Sequence, residues 1–320
     1  FIMPNYNGVW SLTTQLQYVS DWPIPLGDVG LIFGNAEGTK LASIDRINIA
    51  SSGSTFDFGD MSAAKGNMAA LGSATRGVVG GGNDGSALNV IEFVTLAATG
   101  SVTDFGDLSE TANFPSGAAN STRGIFAALG TAHGSSGANK IEYITIANEG
   151  NTTDFGDLTV ARSMKDNGLT STTRAVFCGG YDGSRSNVMD YITISSTGDA
   201  SDFGNLTVGR NEGGATSSAT RGVIGGGYGS SGAVNTIDYI TIGSTGDASD
   251  FGDLTAVRYS IGATSNSTIG VFCGGHDGSA AVNIIEQVTI ASTGNATDFG
   301  DLTIARAMGA ACSGSHGGIG

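Results

Sequence analysis

Residues 173–210 read TRAVFCGGYDGSRSNVMDYITISSTGDASDFGNLTVGR, and the chain repeats this pattern six times. Asp-Phe-Gly recurs at Asp57, Asp104, Asp154, Asp202, Asp250 and Asp298, with spacings of 47, 50, 48, 48 and 48 residues. An acid inside an apolar run recurs at Asp45, Glu92, Glu142, Asp190, Asp238 and Glu286, with the same five spacings. The two anchors therefore keep a fixed distance within every unit. A period of this size marks a solenoid, a propeller or an array.

Each unit reads as four short strands. In the fifth, residues 222–227 are small and apolar and end in glycines, and residues 235–242 are rich in β-branched and aromatic side chains. Ser244-Thr245-Gly246-Asp247 is turn chemistry, residues 250–255 form a third strand, and residues 259–264 supply a fourth. No stretch of the repeat keeps helical spacing of apolar residues, so the chain is expected to be all-β, with four-stranded antiparallel sheets. One such sheet cannot bury both faces. Six stacked around an axis can, each covering its neighbour. An open solenoid is the alternative, but its rungs are usually much shorter.

Residues 28–320 are expected to form the repeat domain, and residues 1–27 lie outside it. The N-terminal segment holds Trp10, Trp22, Tyr6, Tyr18 and three of the four prolines. It reads either as a strap on the domain or as an attachment peptide, with Trp10, Tyr18 and Trp22 as candidate docking residues. The start has no basic region followed by an apolar core, so no signal peptide is expected. The first unit lacks the strand that precedes its glycine strand elsewhere, while residues 306–312 repeat that strand with no unit to join. The two termini are therefore expected to complete one sheet, which closes the ring and removes its exposed edge.

The pattern resembles the kelch repeat. Paired glycines end one strand (Gly81-Gly82, Gly179-Gly180, Gly226-Gly227, Gly274-Gly275). An aromatic follows in the next strand (Phe93, Tyr143, Tyr191, Tyr239), and another sits in the last (Phe105, Phe155, Phe203, Phe251, Phe299). Kelch repeats usually carry Trp at that last position; here it is always Phe. The first and third units lack the clean glycine pair. The resemblance implies a six-bladed β-propeller, and it says little about function, because kelch-like propellers serve many tasks.

A net charge of −15 with only four lysines repels phosphate backbones and anionic membranes. Nucleic-acid binding and membrane insertion are therefore not expected. Cys178, Cys273 and Cys312 read as small buried residues rather than as a disulfide or metal site. Six copies of Asp-Phe-Gly, with no phosphate loop, exclude a kinase-type magnesium triplet. The Phe reads as a core anchor, and the Asp as a cap for turn amides. The repeated acids read as partners for arginines or for backbone groups of a neighbouring blade. Arg76, Arg123, Arg174 and Arg221 precede glycine strands; Arg162, Arg210, Arg258 and Arg306 follow Asp-Phe-Gly strands. A ring of catalytic carboxylates is not expected, since every unit carries one. Three scattered histidines, His133, His276 and His316, supply neither a copper site nor a catalytic triad. No metal or cofactor is expected.

The loops after the glycine pairs vary most and, by strand alternation, emerge on one face, where binding is usual. Tyr181, Tyr228 and His276 follow the glycine pair in units four to six, so with Asp182 and Asp277 they are the candidate ligand residues. Aromatic planes beside acids suit a sugar ring; covering the blade ends is the plainer role.

Residues 192–206, 240–254 and 288–302 resemble kelch-like propeller proteins of tailed bacteriophages. That resemblance implies a non-enzymatic virion or extracellular protein, a tail-fibre or decoration component. Other virion proteins would bind through residues 1–27, and a host-surface glycan or protein would meet the propeller face. The alternative is a secreted carbohydrate-binding lectin or a carbohydrate-active enzyme on the same scaffold.

Overall fold

The computed structural model describes residues 24–34, 39–130, 139–165 and 167–315. Trp10, Tyr18, Trp22, His133 and His316 lie outside them. The described chain is all-β apart from one 3-10 turn at Leu26–Asp28. Its strands form seven small antiparallel sheets, six of four strands and one of three.

The fifth sheet shows the plan. Gly214–Ser217 pairs with Arg221–Gly225, which pairs with Thr236–Thr241, which pairs with Ser249–Asp253. The strand that follows an Asp-Phe-Gly segment therefore does not complete its own unit's sheet. It crosses to the next sheet and becomes that sheet's inner strand. The expected fourth strand at residues 259–264 is in fact Gly262–Ser265, the inner strand of the sixth sheet. The inner strands are in contact in sequence: Ala69–Gly72, Ser116–Ala119, Gly168–Thr170, Gly214–Ser217, Gly262–Ser265, Ala310–Ser313, and back to Ala69–Gly72. That closed cycle is consistent with a propeller-like repeat. Ala310–Ser313 pairs with Val29–Phe33 of the first sheet, with Leu31 opposite Cys312. The C-terminal strand thus joins the N-terminal sheet, as the termini of the sequence imply.

The seventh sheet was not legible in the repeat. It joins Arg210–Asn211, Tyr228–Gly229 and Gly232–Ala233, on the loop after the fifth unit's glycine pair.

Asp-Phe-Gly encodes a bulge. In the fifth sheet Asp238 faces Asp250 and Ile237 faces Gly252, so Phe251 is the extra residue. The same slip occurs at Asp45, Glu92, Glu142, Asp190 and Glu286. A bulge re-aims one side chain, and all six Phe rings are buried, at 2–3% exposure. Four pack edge-on to the aromatic of the neighbouring strand, as Phe203 does on Tyr191 at 5.9 Å. The motif's Asp side chains, in contrast, stay exposed. The expected amide caps come instead from the hairpin turn: Asp199 accepts from the Asp157 N–H at 3.1 Å, and Asn295 from the Asp253 N–H at 3.0 Å.

The repeated acids are buried and paired. The cation stands eight residues after the motif's Asp and reaches into the next sheet. Arg162 meets Asp190 at 2.7 Å, Arg210 meets Asp238 at 3.1 Å, Arg306 meets Asp45 at 2.9 Å, and Arg258 meets Glu286. Lys65 takes this position in the first unit and meets Glu92 at 2.7 Å. The second unit has Ala112 there, and Lys140, two residues before Glu142 on the same strand, meets it at 2.8 Å instead. The other arginine set lies over aromatics. Arg76, Arg123, Arg174 and Arg221 sit 4.2–4.6 Å from the ring centroids of Phe93, Tyr143, Tyr191 and Tyr239. Each also donates to a carbonyl of the following sheet, as Arg123 does to Ile194 at 2.6 Å.

Candidate functional site

Every glycine strand runs toward the end of its sheet where the acid strand begins and the Asp-Phe-Gly strand ends, so the loops after the glycine pairs share one face. There the residue after the pair bridges the crossover chain entering its own sheet. Tyr181 bridges Ser163, Tyr228 pairs with Asn211, and His276 bridges Tyr259. These bridges hold the loop residues close to the backbone rather than at the tips.

In this sector the side chains form a row. Arg185 lies 4.8 Å from the ring centroid of Tyr181 and 5.0 Å from that of Tyr228. Tyr228 meets Tyr259 edge-on at 5.1 Å, and Tyr259 meets His276 at 5.0 Å with the rings tilted by 35°. The sequence-predicted Tyr181, Tyr228 and His276 are therefore brought together across three units. Arg185 and Tyr259 complete the row, and sequence reasoning did not name them.

The loops are stiffened locally. His276 Nδ1 accepts from the Gly278 N–H at 2.8 Å. Asp182 accepts from the Ser184 N–H and hydroxyl, both at 3.0 Å. Asp277 accepts from the N–H groups of Ser279 and Ala280 at 2.7 and 2.9 Å, and those amides hold its carboxyl below the usual range. Both candidate acids are thus engaged in shaping their own loops. The rim of this face adds exposed aliphatics on the crossovers, Val160, Val208, Val257 and Ile304.

No protein-family model matches this chain, and a search of curated proteins finds no match.

The described chain starts on the opposite face. Val29 pairs with Asn48, at the far end of the first sheet from its glycine loop. Asp28 is held there by Asn266 at 2.8 Å and by the Ile49 N–H at 2.8 Å, and the Ser315 hydroxyl donates to the Gly27 carbonyl at 2.5 Å. The described chain therefore begins on the face away from the aromatic row. A groove of about 400 Å³ lies elsewhere, along the outer part of the sixth sheet. Ile269 and Gln287, which line it, occupy the places of Arg221 and Tyr239 in the preceding unit. The groove marks where the arginine-on-aromatic pair is missing.

Proposed function

We propose that the chain is a six-bladed kelch-like β-propeller that works as a non-enzymatic binding scaffold. The face of the glycine-pair loops meets a partner or a host surface. Residues 1–27 fix the scaffold, from the opposite face, to a larger assembly; the sequence resemblance makes that assembly a phage particle. The carrying observation is this two-faced arrangement: the chain enters at Asp28 and Asn266 on one side, and Tyr181, Arg185, Tyr228, Tyr259 and His276 form a row on the other. The repeated buried acids support a non-catalytic reading, because each is held by a cation of the fold.

The test separates the two faces. A chain lacking residues 1–23 is expected to lose association with the source particles while keeping adhesion to the host surface. A Tyr228→Ala/Tyr259→Ala variant is expected to do the reverse. Loss of both functions in one variant, with the fold intact by circular dichroism, would refute the division. The second reading, a secreted lectin, is favoured by the same aromatic row; it requires the protein to be found free, with sugar binding and no particle association.

A further inference from the structure

Taking the loop face as the binding surface, as proposed above, we infer that Arg185 is the anchor of a site for acidic glycans, in which a sugar carboxylate pairs with the guanidinium and the adjoining sugar ring lies on the Tyr228–Tyr259 aromatics.

Arg185 is unusual for what it lacks. Its Nε is buried and has no hydrogen-bond partner. Among the described residues it makes no ion pair; its contacts are the faces of Tyr181 and Tyr228. In a chain of net charge −15, with carboxylates at Asp182 and Asp277 in the adjoining loops, a cation without a carboxylate is unusual. Asp182 and Asp277 are engaged with their own loop amides and, for Asp182, the Ser184 hydroxyl. A buried donor left unpaired costs free energy that a ligand acceptor recovers.

The geometry selects the kind of acceptor. With two aromatic rings 4.8 and 5.0 Å away, the polar edge of the guanidinium is what a ligand acceptor meets. That edge is a planar fork, which matches a carboxylate with two parallel hydrogen bonds. Aromatic neighbours raise the strength of the pair by excluding water from it. The row then continues away from the cation, through Tyr228 and Tyr259 to His276, at ring spacings of 5.1 and 5.0 Å. The Tyr228 and Tyr259 planes stand at 82° to each other, so a pyranose lays its C–H face on one ring and meets the other with its edge, while its hydroxyls reach water or loop groups. A ligand carrying a carboxylate on such a ring, a uronic or sialic acid unit, satisfies both halves of the site. A neutral sugar satisfies only the aromatic half.

The experiment uses the full chain on an array of uronic- and sialic-acid oligosaccharides, each printed beside its carboxyl-reduced counterpart. Wild type is expected to bind at least one acidic glycan roughly tenfold or more tightly than its reduced form, the size of one charge-assisted pair. Arg185→Gln is expected to remove that difference and retain the weaker binding common to both forms. Arg46→Gln, which removes the same charge from the first sheet, is expected to change nothing. Equal wild-type binding to acidic and reduced forms, weakened in both by Tyr228→Ala, would overturn the inference and leave the face as a binding surface. No binding to any array member by wild-type protein that adheres to host cells would also overturn it. Indiscriminate binding to sulfated polymers, lost at moderate salt and equally in both Arg variants, would show bulk electrostatics instead of a site.

Discussion

Gly300, in the outer strand of the sixth sheet, packs directly on Gly53, in the hairpin turn of the first. A β-carbon on Gly300 would land on the Gly53 carbonyl, and the Gly53 N–H donates to the Phe299 carbonyl at 2.8 Å. The same contact joins Gly59 to Gly100, Gly106 to Gly150, Gly156 to Gly198, Gly204 to Gly246 and Gly252 to Gly294. A second backbone bond follows two residues on, as from the Ala248 N–H to the Asn205 carbonyl at 2.8 Å. Each outer strand is thereby covered by the turn of the next sheet, so an edge open to another chain is blunted six times.

That seam predicts an order of effects. Gly204 has φ +139° and no room for a β-carbon; Gly246 has φ +154° and open space beside it. Gly246→Ala carries backbone strain alone, on the order of 1–3 kcal/mol. Gly204→Ala carries comparable strain and a clash with backbone, so it is expected to lower the urea midpoint further. The reverse order would show that the strand and the turn do not touch.

Phe203→Ala is expected to cost about 3–5 kcal/mol, as for a buried aromatic. Its ring is 2% exposed and edge-on to Tyr191. Asp202→Ala, at an exposed carboxylate beside it, is expected to change the thermal midpoint little. Similar effects of the two substitutions would contradict the role of the bulge in turning Phe inward.

Arg162 and Asp190 are both fully buried, at 2.7 Å, and Thr159 Oγ1 donates to the same carboxylate at 2.5 Å. Arg162→Met leaves an unpaired buried charge and is expected to cost about 3–5 kcal/mol. The double variant Arg162→Met/Asp190→Asn is expected to recover part of that loss, since neither charge remains. A double variant as unstable as the sum of the singles would mean that the pair is not coupled.

The thiols give a pH prediction. Burial raises Cys178 and Cys273 from an ordinary value of 9.0 to about 12. The folded state keeps these protons, so their contribution is whole below pH 9 and declines as pH rises toward 12, because the unfolded chain ionises first. Native protein is expected to leave all three buried cysteines unlabelled by a thiol reagent at pH 8, and denatured protein to label all three. A Cys178→Ala/Cys273→Ala variant is expected to lose less of its stability between pH 9 and 11 than wild type does. Rapid native labelling would place these thiols at the surface.

The repeat made the strands, the closing terminal strand and the acid–arginine economy legible, because each has a copy in most units. The closing strand at residues 306–312 already implied that this strand joins the sheet that follows it, but the unit read over residues 222–264 kept it in its own sheet, because the period alone does not say which sheet a strand enters. Neither did it show that Asp-Phe-Gly and the Ser-Thr-Gly turn of the next unit meet, since both motifs recur at one spacing whether or not they touch. The aromatic row was half legible. Tyr181, Tyr228 and His276 share the position after the glycine pair. Tyr259 sits where other units have Gly66, Ser163 and Asn211, and Arg185 stands across a hairpin from Tyr181. Neither belongs to a periodic set, and only the fold brings them beside the others.

Closure of the ring gives the last prediction. Deleting residues 305–320 removes two things at once. The first is the inner strand Ala310–Ser313, whose Ala310, Ala311 and Cys312 are buried against the first, second and sixth sheets. The apolar area exposed, at roughly 25 cal/mol per Å², costs several kcal/mol. The second is Arg306, which holds the buried Asp45 at 2.9 Å and leaves it an uncompensated charge when lost. Asp45→Asn introduced into the truncated chain is expected to return the electrostatic part and none of the packing part. Truncation alone is thus expected to lower the melting temperature most, truncation with Asp45→Asn less, and Asp45→Asn in the full chain to lower it by an amount that reflects an unpaired Arg306. A truncated chain that melts with wild type would mean that the first sheet stands without its C-terminal strand, and the ring would then be open at Val29–Phe33.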